Sequence, residues 1–212
     1  MKKMKPILFN PAMTRAILAG RKTVTRRVAF KRQDLREFHS HEYPAGWWFN
    51  GRVYKDWDTA LISPQGLLSH CKYRPGDILY IREAFGYASD LLGGEPGPVY
   101  QSDYTTTELD QLKKKGWKWK PSLHMPKELA RIFLKISSIR LEPLHDIFLD
   151  PPGPDNQVAR EGCRYGGDFI AVWDSTVPKK DLGIYGFEAN PWVWVIEFEQ
   201  ISKESALAEA TF

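Results

Sequence analysis

Two adjacent arginines, Arg26 and Arg27, are the side chains in this sequence best suited to contact a phosphate. A guanidinium group presents a planar fork of N–H donors that matches phosphate geometry. Paired arginines on a strand also serve in surface ion pairs, so both roles stay open at this stage. Arg21 adds a third arginine to the same basic segment. We therefore take these three residues as candidate contacts to a substrate or nucleic acid.

A second candidate group consists of Arg82, Glu83 and His124. The first two follow the apolar run Ile78–Ile81, which predicts a buried strand. A charged pair beside such a strand is costly unless it is partnered, so it indicates a role in a pocket or a structural ion pair. A single histidine is either a base-contacting or catalytic group or a hydrogen-bonded structural residue. The sequence leaves both choices open.

The sequence predicts neither a metal site nor a cofactor. His39 and His41 have the spacing of two ligands on one strand face, but no third ligand of clear geometry accompanies them. Cys71 and Cys163 are the only cysteines, too few for a disulfide framework and too far apart in sequence for a typical zinc motif. Two unpaired thiols fit a cytoplasmic protein.

Length and composition favour a single domain spanning residues 1–212. The chain is 42% hydrophobic and 13% aromatic, which supplies one substantial core. A formal charge of +4 and a pI near 8.9 permit a polyanionic partner without requiring one. The apolar run Ile7–Phe9 is too short for a signal peptide, and no segment approaches the roughly 18 to 20 apolar residues of a membrane span. We expect a soluble protein with no membrane partner.

Helix and strand signals alternate irregularly along the chain. A short strand at Ile7–Phe9 precedes a helix from about Pro11 to Ala19, with Asn10 as its N-cap and Gly20 just past its end. A strand follows the turn after Gly20. Two later strands are predicted at about 132–141 and 192–198, and Asp155 and Asp168 are candidate helix caps.

Two regions, at about 30–73 and 85–119, interrupt this pattern and are predicted to be insertions. The first is expected to carry a hairpin. The second contains a helix that begins with a Thr105/Glu108 capping box and ends near three consecutive lysines. Both hold tryptophans suited to stacking on bases, namely Trp47, Trp48, Trp117 and Trp119. The fold class predicted is α+β, a small mixed β-barrel with short helices packed at its ends.

The run Ile17–Arg27 resembles the helix-to-strand junction of ASCH-domain proteins, whose small members carry a similar Leu-x-Gly-x-Lys-Thr-x-Thr segment. Three further segments look like the longer ASCH proteins of bacteria and prophages: Pro75–Glu83, Ser122–Pro126 and Asn190–Phe198. Their order and spacing also fit, and together the resemblance covers about two thirds of the chain.

This resemblance implies a PUA-like β-barrel, a fold associated with RNA binding. It also implies an activity, because small ASCH enzymes hydrolyse the acetyl amide of acetylcytidine with a lysine, a threonine and a glutamate. The matching residues here are Lys22 and Thr25, and Glu161 is the best candidate for the glutamate. RNA or a modified nucleoside is the expected partner. The alternatives are a non-catalytic RNA-binding module and an ASCH-type ribonuclease.

Such a site sets two conditions on the structure. Residues three apart point to opposite faces of a regular strand, so Lys22 and Thr25 share a pocket only if the chain bends, which Gly20 permits. A threonine hydroxyl also needs a base, so Lys22 must lose its proton, helped by burial or by an adjacent cation such as Arg21 or Arg26. Without the resemblance, Lys22 would be interpreted as an ordinary solvated lysine and Thr25 as a residue that favours a strand.

Overall fold

A computed structural model of the chain describes residues 4–30, 35–38, 46–49, 52–54, 56, 66–88, 97–151, 153 and 155–211. The strands of these residues are β1 Lys5–Leu8, β2 Val24–Val28, β3 Leu35–Phe38, β4 Gly46–Phe49, β5 Arg52–Tyr54, β6 Ile78–Arg82, β7 Phe85–Tyr87, β8 Pro98–Tyr100, β9 Phe133–Pro143 and β10 Trp192–Ile201. The α-helices are α1 Pro11–Leu18, α2 Thr106–Lys114, α3 Gln157–Arg160, α4 Gly166–Thr176, α5 Leu182–Tyr185 and α6 Lys203–Thr211.

The main sheet has five strands in the order β1-β6-β9-β10-β2. β1 runs parallel to β6, and the other neighbours are antiparallel. Within the described ranges no ladder joins β1 to β2, so the prediction of a barrel is wrong, whereas the α+β class is confirmed. The chain leaves β1 at Leu8 to begin α1, and one side-chain hydrogen bond, from Arg27 Nη2 to Leu8 O at 3.0 Å, links the two edges.

Alternation along β10 divides the core between the two faces of the main sheet. Trp194, Ile196 and Phe198 pack with the apolar residues of β1, α1 and β6. Val193 and Val195 pack on the other face against Phe169 and Trp173 of α4, among others. β10 thus contributes to both core layers, and the segment that forms it is an integral part of the fold.

Helix α1 forms for the reasons that its sequence indicates. The side chain of Asn10 accepts a hydrogen bond from the N–H of Met13 at 2.8 Å, and Pro11 occupies the first turn. Ala16 and Ile17 are buried and face the core. Gly20 follows the helix with φ +70°, a left-handed conformation that favours glycine. The predicted bend is therefore confirmed.

Other predictions needed correction. The helix assigned to Asp155 is capped instead by Asn156, whose side chain accepts from the N–H of Ala159. Asp168 lies inside the first turn of α4, where it accepts the N–H of Tyr165 at 3.1 Å. Helix α6 was not predicted, because its small hydrophobic residues follow no strong helical period. The Thr105 capping box is confirmed.

The two predicted insertions contain small sheets of their own. β3, β4 and β5 form a three-stranded antiparallel sheet where a hairpin was expected, and β7 pairs with β8 in the second region. Trp47 of the first region meets Trp192 of β10 edge to face, with ring centroids 6.0 Å apart. His39 and His41 lie outside the described residues, and so does the side chain of Trp48.

Among the helices that the structure describes, none has the length and apolar character needed to cross a membrane.

Candidate functional site

The turn after α1 brings Lys22 against the residue that ends α3. Lys22 and Glu161 form an isolated antiparallel β-bridge, although 139 positions separate them. The N–H of Thr23 donates to the carbonyl of Arg160 at 2.9 Å, and the N–H of Lys22 donates back to Ala16 at 3.1 Å. Backbone bonds therefore fix the position of the candidate lysine before its side chain makes any contact.

Gly162 makes this close approach possible, and sequence reasoning missed it. Its φ is +84°, and a Cβ added there would lie 2.8 Å from the Cβ of Ala16 and 3.2 Å from the Cβ of Lys22. Any other residue would push α1 and Lys22 away from Glu161. A glycine directly after the candidate glutamate was the available signal.

The side chains of Lys22 and Glu161 form a buried ion pair. Their exposed side-chain fractions are 0% and 4%. The ammonium group of Lys22 contacts Oε2 of Glu161 and also donates to the carbonyl oxygen of Glu161 at 2.9 Å. Two charges withdrawn from water in this way are stable only with close partners, which the geometry supplies.

Arg26 holds the other oxygen of the same carboxylate. Its Nη1 donates to Oε1 of Glu161 at 3.1 Å, and its Nη2 donates to Glu142 at 2.8 Å and to Gln157 at 3.1 Å. Nε also donates to Glu142, at 3.2 Å. Every nitrogen of this guanidinium is thus engaged by the protein, and the carboxylate of Glu161 is bridged by two cations.

Thr25 is buried, and its hydroxyl oxygen accepts a hydrogen bond from Nη1 of Arg27 at 2.7 Å. Among the described residues, no hydrogen bond joins the side chain of Thr25 to that of Lys22. Thr25 is connected to the ion pair through the cavity instead, because Thr25 and Glu161 both line it. Lys22 does not line the cavity itself, but its ammonium group contacts the carboxylate of Glu161, which does.

The cavity has a volume of about 640 Å³ and lies where β1 and β2 fail to pair. One wall consists of Leu8, Phe9 and β2, and the opposite wall is α4 with Tyr185. Phe169 and Trp173 contribute ring surface to the second wall. The open edge of the sheet, which contradicts a closed barrel, is thus the feature that creates the cavity. Its size is within the usual range for a small-molecule site.

Arg27 differs from Arg26 in having no carboxylate partner within ion-pair distance in the part of the chain that the structure describes. It donates to Thr25, to the carbonyl of Arg26 at 2.9 Å and to the carbonyl of Leu8. Its guanidinium carbon lies 5.1 Å from the centroid of the Phe9 ring. A half-buried arginine beside a hydroxyl, with no anion of its own, is suited to stabilise negative charge in the cavity.

Burial sets the protonation of the two basic residues. The pKa of Lys22 is lowered from its ordinary value mainly because burial disfavours the ammonium form. The charge and hydrogen bond of Glu161 act in the opposite direction, and Arg27 lowers the pKa further. Burial also lowers the pKa of Arg27, although a guanidinium stays protonated at any physiological pH. Lys22 is therefore easier to deprotonate than an exposed lysine.

The other sequence-based candidates lie apart from this site. Arg21 is exposed, and so is His124. Arg82 donates to the carbonyl of Leu123 at 3.1 Å, and Glu83 is held by Arg131 at 2.9 Å. None of these residues lines the cavity. Glu83 thus takes the structural ion-pair role that the sequence left open.

Within the described residues, no group of three or more histidine, cysteine, aspartate or glutamate side chains is placed to hold a metal ion. The pair His39 and His41 lies outside these residues.

Comparison with protein-family models, with curated proteins and with solved structures finds no match.

Proposed function

We propose that the protein is an ASCH-type amidohydrolase that removes an acyl group from an acetylcytidine-like nucleoside. The observation that carries this proposal is the buried Lys22–Glu161 pair, which adjoins a cavity that Thr25 and Arg27 also line. A nucleophile, a proton carrier and an oxyanion contact are the three parts that amide hydrolysis needs. The resemblance of the segment from Ile17 to Arg27 supports the same assignment.

In the proposed reaction, each residue has a part that its position allows. Thr25 attacks the carbonyl carbon of the amide, and its hydroxyl proton passes through the carboxylate of Glu161 to the neutral amine of Lys22. Lys22 returns the proton through that carboxylate, and the proton then reaches the leaving nitrogen as the C–N bond breaks. The free amine of the base leaves at this step. Water then hydrolyses the resulting threonine ester by the reverse proton path, which releases a carboxylic acid and restores the hydroxyl of Thr25.

Arg27 supports the charge that develops during the attack. Its Nη1 lies 2.7 Å from the attacking oxygen, so the guanidinium is next to the carbonyl oxygen that becomes an oxyanion. Because Arg27 forms no ion pair with a carboxylate among the residues that the structure describes, its charge is available to the substrate. Removing one such donor in other hydrolases costs about 100- to 1,000-fold in rate.

The apolar part of the cavity suits a nucleobase. Phe9, Phe169 and Trp173 present ring surface, and bases are commonly held by stacking on aromatic side chains. The charged residues of the lining are Arg26 and Arg27 of β2 and Glu161, which Arg26 contacts. A base held against the rings would therefore direct its exocyclic amide toward Thr25. This arrangement favours an acylated amino group on a base over a free aliphatic amide.

The direct test is incubation of the purified protein with acetylcytidine, followed by chromatographic detection of cytidine and acetate. We expect turnover by the native protein and by Lys72→Met, which alters an exposed lysine. Lys22→Met should be inactive. Product formation no faster than in an enzyme-free control would exclude this substrate, and equal turnover in both variants would exclude the mechanism.

A non-catalytic RNA-binding module is the second candidate. Two observations favour it: every donor nitrogen of Arg26 is paired within the protein, and the Lys22 ammonium group makes two contacts. Such contacts can stabilise the fold without any part in catalysis. Calorimetry showing that acetylcytidine binds and is recovered intact would support this function. The ribonuclease alternative predicts RNA cleavage that is lost in Lys22→Met and in Glu161→Gln.

A further inference from the structure

A basic and aromatic strip follows the C-terminal half of α2, outside the cavity. We define the lysine–tryptophan strip as residues 113–120. Its five lysines are exposed: Lys113, Lys114, Lys115, Lys118 and Lys120. None of them makes an ion pair within the described part of the chain. Five cations without partners on eight consecutive residues form a strong local positive potential.

The aromatic rings of the strip are fixed in place. The rings of Trp117 and Trp119 meet edge to face at 5.6 Å, and Tyr104 packs on Trp119 at 5.3 Å. Trp117 covers Gly86 so closely that a Cβ added there would lie 2.3 Å from its ring. Trp119 thus packs against Trp117 and Tyr104, and it remains partly exposed. A ring held in this way loses little entropy when a base stacks on it.

The strip leads to the rim of the cavity. The backbones of Lys120 and Phe85 exchange hydrogen bonds at 2.8 and 3.1 Å, and Lys120 Nζ lies 4.6 Å from the centroid of the Tyr87 ring. Ser122, two residues after Lys120, lines the cavity. Arg15 of α1 also donates to the carbonyl of Tyr104 at 3.5 Å, which ties the strip to the helix beside the cavity.

Helix capping explains only part of this pattern. Lysines at the end of α2 interact favourably with the helix dipole. Lys118 and Lys120, however, lie beyond the helix, which ends at Lys114, and they alternate with the two tryptophans. Alternating cations and aromatic rings match the alternating phosphates and bases of a single strand. Of the acidic residues of α2, Glu108 lies in the first turn and Asp110 at the middle of the helix.

We propose that the lysine–tryptophan strip binds single-stranded nucleic acid, with bases stacking on Trp119 and phosphates contacting the lysines. The strand would continue along residues 120–122 toward the cavity. The preferred substrate is therefore a modified nucleotide within a strand rather than a free nucleoside. This last step rests on the proposed function, whereas binding at the strip does not.

The test measures binding of a fluorescein-labelled oligouridine by fluorescence anisotropy. The probe has about ten nucleotides, which is within the usual site sizes for a single strand. The probe carries no acyl group, so the assay is independent of hydrolysis. We expect the double variant Lys118→Glu/Lys120→Glu to bind at least about tenfold more weakly at 50 mM salt, with a shallower salt dependence. The control Lys72→Glu/Lys203→Glu makes the same charge change at two other exposed lysines and should bind like the native protein.

Stacking is separated from charge by two variants of Trp119. Trp119→Ala should weaken binding roughly tenfold, and Trp119→Phe, which keeps a ring, should retain most of it. No binding by the native protein at low salt, or equal weakening by both double variants, would overturn the proposal. So would unchanged affinity in Trp119→Ala, because the strip would then attract any polyanion, including an acidic protein. Binding without acetylcytidine turnover would leave the strip in place and remove the proposed hydrolase.

Discussion

The molecule buries two glutamates in two different ways. Glu161 is 4% exposed, and its carboxylate is bridged by Lys22 and Arg26 at the edge of the cavity. Glu83 is 2% exposed, and its carboxylate is held by Arg131 and by the hydroxyl of Ser102. The first cluster faces a cavity, whereas no residue of the second lines it.

The difference lies in what surrounds each ion pair. Arg131 is 32% exposed and also binds Asp103 at 2.6 Å, so its cation has two carboxylates and access to water. Hydrogen bonds to both carboxylates raise its pKa above the usual arginine value. Around Glu161, burial instead lowers the pKa of Lys22, and the neighbouring Arg27 makes no ion pair within the described part of the chain. Burial of a glutamate alone therefore does not distinguish the two clusters; the lowered pKa of Lys22 and the adjoining cavity do.

The largest expected effect is on catalysis at the cavity cluster. Lys22→Met removes the amine and keeps a similar volume, and we expect kcat for acetylcytidine to fall about 1,000-fold. Circular dichroism should show a folded protein, because an apolar side chain is readily buried at this position. A folded variant with native kcat would show that Lys22 takes no part in the reaction.

A substitution in the second cluster, around Glu83, should lower the stability of the fold and leave kcat unchanged. Glu83→Gln takes away one of the two carboxylates of Arg131 and the anion that Ser102 contacts, so we expect the free energy of unfolding to fall by about 2 kcal/mol. Partial exposure of Arg131 keeps this estimate at the low end, since water screens the charge that is left. Urea denaturation measures the loss. A fall in kcat per folded molecule as large as that of Lys22→Met would make the two clusters equivalent.

The two neighbouring arginines provide a finer comparison. Arg27→Met should lower kcat about 100-fold with little loss of stability, because no carboxylate loses its partner. Arg26→Met should destabilise the fold strongly, because Glu142 and Glu161 both lose a cation. Rate and denaturation measurements on both variants check the contrast. The reverse pattern would mean that Arg27 is the structural residue.

Much of the local structure was predictable because it depends on short-range chemistry. Asn10, Pro11 and Gly20 determine where α1 begins and ends, and the Thr105 capping box does the same for α2. Lys22, Thr25 and Glu161 were nominated from the resemblance, and the structure brings Lys22 and Glu161 into contact beside the cavity that Thr25 lines.

Long-range features were not predictable from local patterns. The open edge between β1 and β2 depends on which strands pair, and the sequence carries no local signal for that choice. The contacts of Arg26 with Glu142 and Gln157 join residues more than 100 positions apart. Arg82 and Glu83 were candidates because charges beside a buried strand indicate a partner, but the pattern does not say whether that partner is protein or substrate.

A smaller effect is expected at the bend before Lys22. Gly20→Ala places a Cβ at φ +70° in open space, so the cost is conformational strain of about 1 kcal/mol. Gly116→Ala is the matched control, because Gly116 has φ +83° and is equally open. Both variants should lose similar stability in urea denaturation. An additional loss of kcat in Gly20→Ala alone would show that the bend positions Lys22.

The smallest expected effect is on the pH dependence of stability, to which two lysines should contribute with opposite signs. Lys22 has a folded-state pKa below its ordinary 10.5, whereas the hydrogen bond and charge of Glu209 raise that of Lys135. Between the lowered pKa and 10.5, the unfolded chain binds more protons at Lys22, so stability rises with pH in that window. Lys135 instead contributes stability below 10.5 that is lost as pH rises through its raised pKa.

Denaturation of the native protein, Lys22→Met and Lys135→Met across alkaline pH isolates these contributions by difference. The stability of the native protein relative to Lys22→Met should increase with pH and level off near 10.5. The stability of the native protein relative to Lys135→Met should stay constant up to 10.5 and then decrease. kcat/KM for acetylcytidine should rise with pH through the lowered pKa of Lys22 and level off below 10.5, because the neutral amine is the final proton acceptor. A rate that rises only above 10.5 would place the titrating group outside the buried pair.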